Sequence, residues 1–132
     1  MSTQQTHPVM TQWFKAIEER NVEKAVSLLA PDIQVAPPFM KEGVEGPAET
    51  LSVFMAVEEV TEIWKYGRQW VNGNEIALEF FTRIEGEDIH GIDIININDN
   101  GQITRFDICA RPQSSVQKMG EAVKNHLKTV AK

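Results

Sequence analysis

Residues 60–110 read VTEIWKYGRQWVNGNEIALEFFTRIEGEDIHGIDIININDNGQITRFDICA, and their alternation decides the fold. Aromatic and β-branched side chains recur at every second position, the period of a strand with one buried face. Asn72-Gly73, Glu85-Gly86-Glu87-Asp88 and Asn98-Asp99-Asn100-Gly101 interrupt the pattern with residues that tolerate tight turns. The spacing predicts four successive antiparallel strands: one between Val60 and Val71, then Ile76 to Ile84, Ile89 to Ile97 and Ile103 to Ala110.

On either side of this meander the period lengthens to three and four residues, which places apolar side chains on one helical stripe. Val9, Met10, Trp13, Phe14 and Ile17 write a first helix, with Pro8 in its first turn where a missing N–H costs nothing. Asn21 is suited to cap a second, shorter helix carrying Val22, Ala25, Val26 and Leu29, which Pro31 is expected to end. Asp32 to Val35 reads as a short strand, and Pro37-Pro38 then forces a turn or an edge. Gly46-Pro47 opens a third helix with Leu51, Phe54 and Met55 expected on one face. Val116, Met119, Val123, Leu127 and Val130 define a terminal amphipathic helix, with Lys124, Lys128 and Lys132 near its end where cations suit the dipole. This order is that of an α+β fold in which helices gather on one face of a curved sheet and enclose a concavity.

The 132 residues are expected to form a single domain spanning 1–132, and 42% apolar content supplies a genuine core. Thirteen Lys and Arg against 19 Asp and Glu leave a net charge of −6, which argues against nucleic-acid or anionic membrane surfaces. One cysteine and three histidines, His7, His90 and His126, exclude a disulfide framework and the usual zinc knuckles. No apolar run is long enough to span a bilayer, and the first eight residues lack the basic and apolar regions of a secretory leader. The expectation is a cytoplasmic protein without membrane association, metal or organic cofactor.

Several stretches carry a family resemblance beyond this. They are Asn21-Val22-Glu23-Lys24-Ala25, the strand Asp32-Ile33-Gln34-Val35, the Gly46-Pro47 helix start, Asp99-Asn100-Gly101-Gln102-Ile103 before the last strand, and Ala110-Arg111-Pro112 before the terminal helix. In order and spacing they resemble the NTF2-like superfamily, and within it the SnoaL-like, ketosteroid-isomerase-like group. The resemblance covers nearly the whole chain. It implies a cone-shaped, strongly curved sheet wrapped around N-terminal helices with a pocket between them, often a homodimer, and functions ranging from isomerase, hydrolase and cyclase to binding alone.

Asp93 is the residue of greatest chemical interest, because it sits in Gly91-Ile92-Asp93-Ile94-Ile95, where its neighbours are isoleucines and one glycine. If its face is the inner one, desolvation raises its pKa and leaves a neutral acid or a base poised nearer neutrality. The resemblance implies the same residue. In ketosteroid isomerases a protonated aspartate eight residues before the equivalent of Gly101 stabilises the oxyanion, and Asp93 has that spacing. The rest of that catalytic set is replaced: Pro37 falls at the general base, and Trp13, Leu29 and Phe54 at the three tyrosines, so ketosteroid isomerisation itself is not expected. Glu79 on the neighbouring strand is a conceivable base that no pattern selects. A structural carboxylate tied to a tyrosine, tryptophan or backbone donor, or one at a dimer interface, accounts equally well for Asp93.

The face of Asp93 depends on the register of the last hairpin. One register sets Asp93 opposite Asp107; a shift of one residue groups it with Phe106 and Ile108 and turns Asp107 outward with Arg105 and Cys109. The spacing in relatives favours the second. Trp13, Phe54, Tyr66, His90, Phe106 and Ile108 are the expected lining of a pocket for a small, largely apolar ligand bearing a carbonyl or hydroxyl group. Cys109 is expected to be a small packed side chain, and Arg111 to bond carbonyls at the sheet end. The competing expectation is association alone. The open sheet face would present Trp64 or Trp70, Phe80 or Phe81, and Cys109, which suits a homodimer or an adaptor.

Overall fold

The computed structural model describes residues 7–130; the N-terminal stretch and Lys132 considered above lie, apart from His7 and Pro8, outside them. Helix α1 (Pro8–Glu18) begins at His7, whose Nδ1 accepts from the Val9 N–H at 3.1 Å, so this histidine is a cap. Helix α2 (Val22–Ser27) is capped as expected, Asn21 Oδ1 accepting from the Lys24 N–H at 3.0 Å. Strand β1 (Leu29–Ala36) starts earlier than its sequence suggested and passes straight through Pro31. Its pairing is irregular between Leu29 and Gln34, where the proline has no N–H to offer a ladder. A short β2 (Val44–Glu45) precedes α3 (Pro47–Val60), which enters through Gly46 at φ 86°, a conformation that favours glycine. Val60, expected to open a strand, closes this helix instead.

The meander is present as four strands, β3 (Trp64–Asn72), β4 (Glu75–Ile84), β5 (Glu87–Ile97) and β6 (Ile103–Arg111), followed by α4 (Gln113–Val130). The sheet order is β2-β1-β6-β5-β4-β3, antiparallel throughout except where β1 runs parallel to β6. One face of this α+β sheet receives the helices. Met10, Trp13 and Ala16 of α1, Leu51 and Val53 of α3, and Val116, Met119 and Val123 of α4 are buried beneath or beside it. Met55 departs from the expected α3 stripe: it is half-exposed, and Val53 and Ala56 take the inward positions. No helix among the described residues is long and apolar enough to cross a membrane.

Candidate functional site

Both anticipated registers of the last hairpin occur, one after the other. Ile97 pairs with Ile103 next to the turn, but Asn96 pairs with Arg105, so Thr104 is an extra residue on β6. Its hydroxyl bonds the Asn96 carbonyl at 3.2 Å and holds the bulge. Beyond it the shifted register sets Asp93 opposite Ile108 and Ile95 opposite Phe106, all on the inner face. Asp107 therefore turns outward, where Arg105 Nε donates to it at 2.8 Å.

Between this inner face and helices α1 and α3 lies a cavity of about 780 Å³. Trp13, Phe54, Tyr66, Asp93, Phe106 and Ile108 all line it. Three of these rings pack edge-on or tilted as one cluster, with centroids 6.0 Å apart for Trp13 and Phe54, 5.9 Å for Trp13 and Phe106, and 5.1 Å for Phe54 and Phe106. Tyr66 leans on Phe14 at 4.8 Å, and Trp64 lies flat on Phe80 at 5.0 Å. Phe14, Trp64 and Phe80 were not anticipated as lining. The β3–β4 register could have supplied the last two, since Tyr66 stands opposite Phe80 and Trp64 two residues from Tyr66 on the same face.

Asp93 is 8% exposed, and no described residue hydrogen-bonds its carboxyl. Burial alone raises its pKa from 3.8 to about 7, because the charged form loses its hydration with nothing in exchange. Glycine at position 91 makes room for this arrangement: a Cβ there would run into the Phe80 ring and the Cys109 carbonyl. Tyr66 stands at the rim. Burial, and after it the Asp93 charge, push its phenol upward, so it remains a neutral hydroxyl. Arg20, Glu18 and Glu58 sit at the mouth, where Arg20 Nη2 meets Glu58 Oε1 at 2.7 Å and Glu18 has no ion-pair partner among the described residues. Pro37, at the position the resemblance assigns to a general base, also lines the cavity, whereas Leu29 is core.

His90 is not in this cavity. It lies three residues from Asp93 on the same strand, and an odd separation puts it on the opposite face. There its Nε2 meets Glu79 Oε2 at 2.7 Å, and its ring stacks on Phe81 at 4.8 Å. Glu79 is likewise excluded as a base at the cavity. It accepts from Arg68 through the backbone N–H at 2.9 Å, Nε at 3.0 Å and Nη2 at 2.9 Å. The Arg68 guanidinium and backbone, then His90, hold its carboxyl well below the usual carboxylate range. Cys109 is exposed on that outer face rather than packed, and Arg111 makes no carbonyl bond there among the described residues. Among the described residues no group of three or more His, Cys, Asp or Glu could hold a metal ion.

The whole chain is similar to solved structures. A steroid delta-isomerase from Pseudomonas aeruginosa matches with TM-score 0.88 and 26% identity over 98% of each chain. A cystatin-like-fold protein from Silicibacter pomeroyi matches with TM-score 0.87 and 26% identity over 96% of this chain and 89% of that one. A Mycobacterium tuberculosis protein solved in complex with estradiol-17beta-hemisuccinate shares the fold at TM-score 0.62 and 16% identity, over 81% of this chain and 93% of that one. No curated protein sequence matches. Residues 10–106 match the SnoaL-like domain, so the chain belongs to the SnoaL-like family of the NTF2-like superfamily.

Proposed function

We propose that the protein binds a small, largely apolar molecule bearing a carbonyl or hydroxyl group, with that oxygen set against Asp93. The observation that carries this reading is a single unpartnered, buried carboxyl on the wall of a largely apolar cavity. A buried polar group without a partner costs free energy, and a ligand oxygen accepting from the protonated acid offsets that cost. The same hydrogen bond stabilises negative charge developing on a carbonyl oxygen. Where the ligand reacts, the chemistry is a cofactor-free isomerisation, cyclisation or dehydration in which Asp93 lends a proton to the oxygen and recovers it. Ketosteroid isomerisation is not proposed, because Pro37 stands at the base position of that reaction and Trp13, Leu29 and Phe54 at its tyrosine positions. The similarity to a steroid delta-isomerase supports the size and apolar character of the ligand.

Carboxyl-carbon NMR, with the signal assigned through Asp93→Asn, tests this directly. Asp93 is expected to titrate at about 7 in the free protein, and to move upward when a bicyclic ketone such as 2-decalone binds, since a bond from the acid favours its neutral form. A value at or below about 3.9, the ordinary aspartate range, overturns the reading.

A second element of the proposal is a cytoplasmic homodimer formed through the outer sheet face, favoured by Trp70 at 47% and Phe81 at 42% exposure on that face. An adaptor without a ligand would have its aromatic side chains fill the interior, and the open volume beside Asp93 favours the binding reading instead.

A further inference from the structure

The cavity supplies Asp93 with no cation. On the sheet its neighbours are Leu78 and Ile108 opposite, Gly91 and Ile95 along the strand, and Phe80 and Phe106 on the diagonals. From the helices come Trp13 of α1 and Phe54 of α3, from β3 the neutral Tyr66, and from α4 Met119. Among the described residues the one cationic lining residue, Arg20, is held at the mouth by Glu58, while Glu18, without an ion-pair partner among them, adds negative charge at the entrance. Aromatic faces carry negative potential and attract cations, most strongly when water is excluded. A buried carboxyl without a partner, aromatic rings on the walls of the same cavity and an acidic mouth are together an incomplete ion pair.

We infer that the cavity takes lipophilic amines in their protonated form, the ammonium seated against the Asp93 carboxylate and the aromatic cluster of Trp13, Phe54 and Phe106 on the cavity wall. This rests on the cavity reading above and differs from it in the charge of the ligand. Neutral oxygen ligands use the protonated acid; an ammonium uses the anion and brings the counterion that the protein omits. The two classes therefore respond oppositely to pH. Asp93 is ionised above about 7, so amine affinity falls roughly tenfold per pH unit below that value, while the affinity of a hydrogen-bond-accepting ligand rises. Glu18, Glu58 and Arg20 at the mouth and Tyr66 at the rim are the remaining titratable groups facing the cavity, and the two glutamates act against anionic ligands.

Isothermal titration calorimetry with a matched pair of probes, 2-(2-naphthyl)ethylamine and 2-(2-naphthyl)ethanol, tests the inference. The working value is about pH 8.5, above the Asp93 titration and below that of an alkylamine near 10. The amine is expected to bind the native protein at least about tenfold more tightly than the alcohol. Asp93→Asn is expected to abolish that preference by weakening amine binding at least about tenfold, and lowering the native protein to about pH 5.5 is expected to reverse it. An alcohol that binds as tightly as the amine at the higher pH, or a preference that survives in Asp93→Asn, overturns this inference and leaves the cavity reading standing. Failure of both probes to bind overturns the two together.

Discussion

Asp93 destabilises the folded chain in a defined pH range. Its folded pKa of about 7 lies above the unperturbed 3.8, so between those values the folded state holds a proton that the unfolded state has lost. Stability therefore falls as pH rises through that window. The full cost, on the order of 4 kcal/mol by the size of the shift, applies above pH 7 and vanishes below both values. Asp93→Asn removes the charge and keeps the shape, so it is expected to unfold at higher urea than the native protein at pH 8, by on the order of 2–4 kcal/mol. The two curves should coincide near pH 3. Equal stability at pH 8 would mean that the carboxyl is solvated. The neighbouring Gly91→Ala acts by volume instead, because the new Cβ would lie 2.5 Å from the Cys109 carbonyl oxygen, part of a paired strand that cannot retreat. A loss of roughly 1–3 kcal/mol in the same urea assay, independent of pH, is the expected result.

Among the elements, the three neighbouring strands at the β3 edge of the sheet are tied together on the outer face by one carboxylate. Glu79 of β4 reaches Arg68 at the β3 irregularity and His90 on β5. Its pKa is depressed, so its contribution is present above the unfolded value of 4.5 and lost as pH falls below it. Glu79→Gln is thus expected to lower the urea midpoint at pH 7, to differ from the native protein by progressively less as pH falls below 4.5, and to leave the Asp93 titration where it was, since the two side chains occupy opposite faces. Movement of that titration would break the separation of faces argued above. Alternation and turn residues made the meander, the capping by Asn21 and the interest of Asp93 legible in the sequence, because each is local. The same alternation places His90, three residues from Asp93 on one strand, on the opposite face. The Thr104 bulge was not legible: a bulge is chosen by how the sheet bends against its helices, and threonine is ordinary in strands. Pro31 and Val60 erred for the same reason, tertiary pairing overriding the local preference of a single residue. The void was beyond local pattern altogether, since it depends on how far Trp13, Phe54 and Phe106, from three separate elements, stand from Asp93.

On the scale of the molecule, the two sheet faces have opposite requirements. The inner face closes over its cavity with helices, and among the described residues no element covers the outer face. On it Trp70 and Phe81 stand more than a third exposed beside half-buried Ile92 and Ile94, while Arg68 lies over the Trp70 ring at 5.4 Å. A net charge of −6 opposes association only weakly where that face also presents Lys65, Arg68 and Arg105 among its carboxylates. Two copies joined face to face would remove the aromatic rings from water, and such central aromatic anchors carry most of the energy of an interface. Sedimentation at micromolar concentration is expected to give twice the 14.9 kDa chain mass. Trp70→Glu combined with Phe81→Glu is expected to weaken the dimer by at least about a hundredfold, since it buries like charges across a two-fold axis. Neither side chain lines the cavity, so naphthylethanol binding should survive the change. A native protein that sediments as the single chain would leave the outer face wet and remove the dimer, while a double variant that dissociates and loses ligand together would show that the cavity depends on the second copy for its shape.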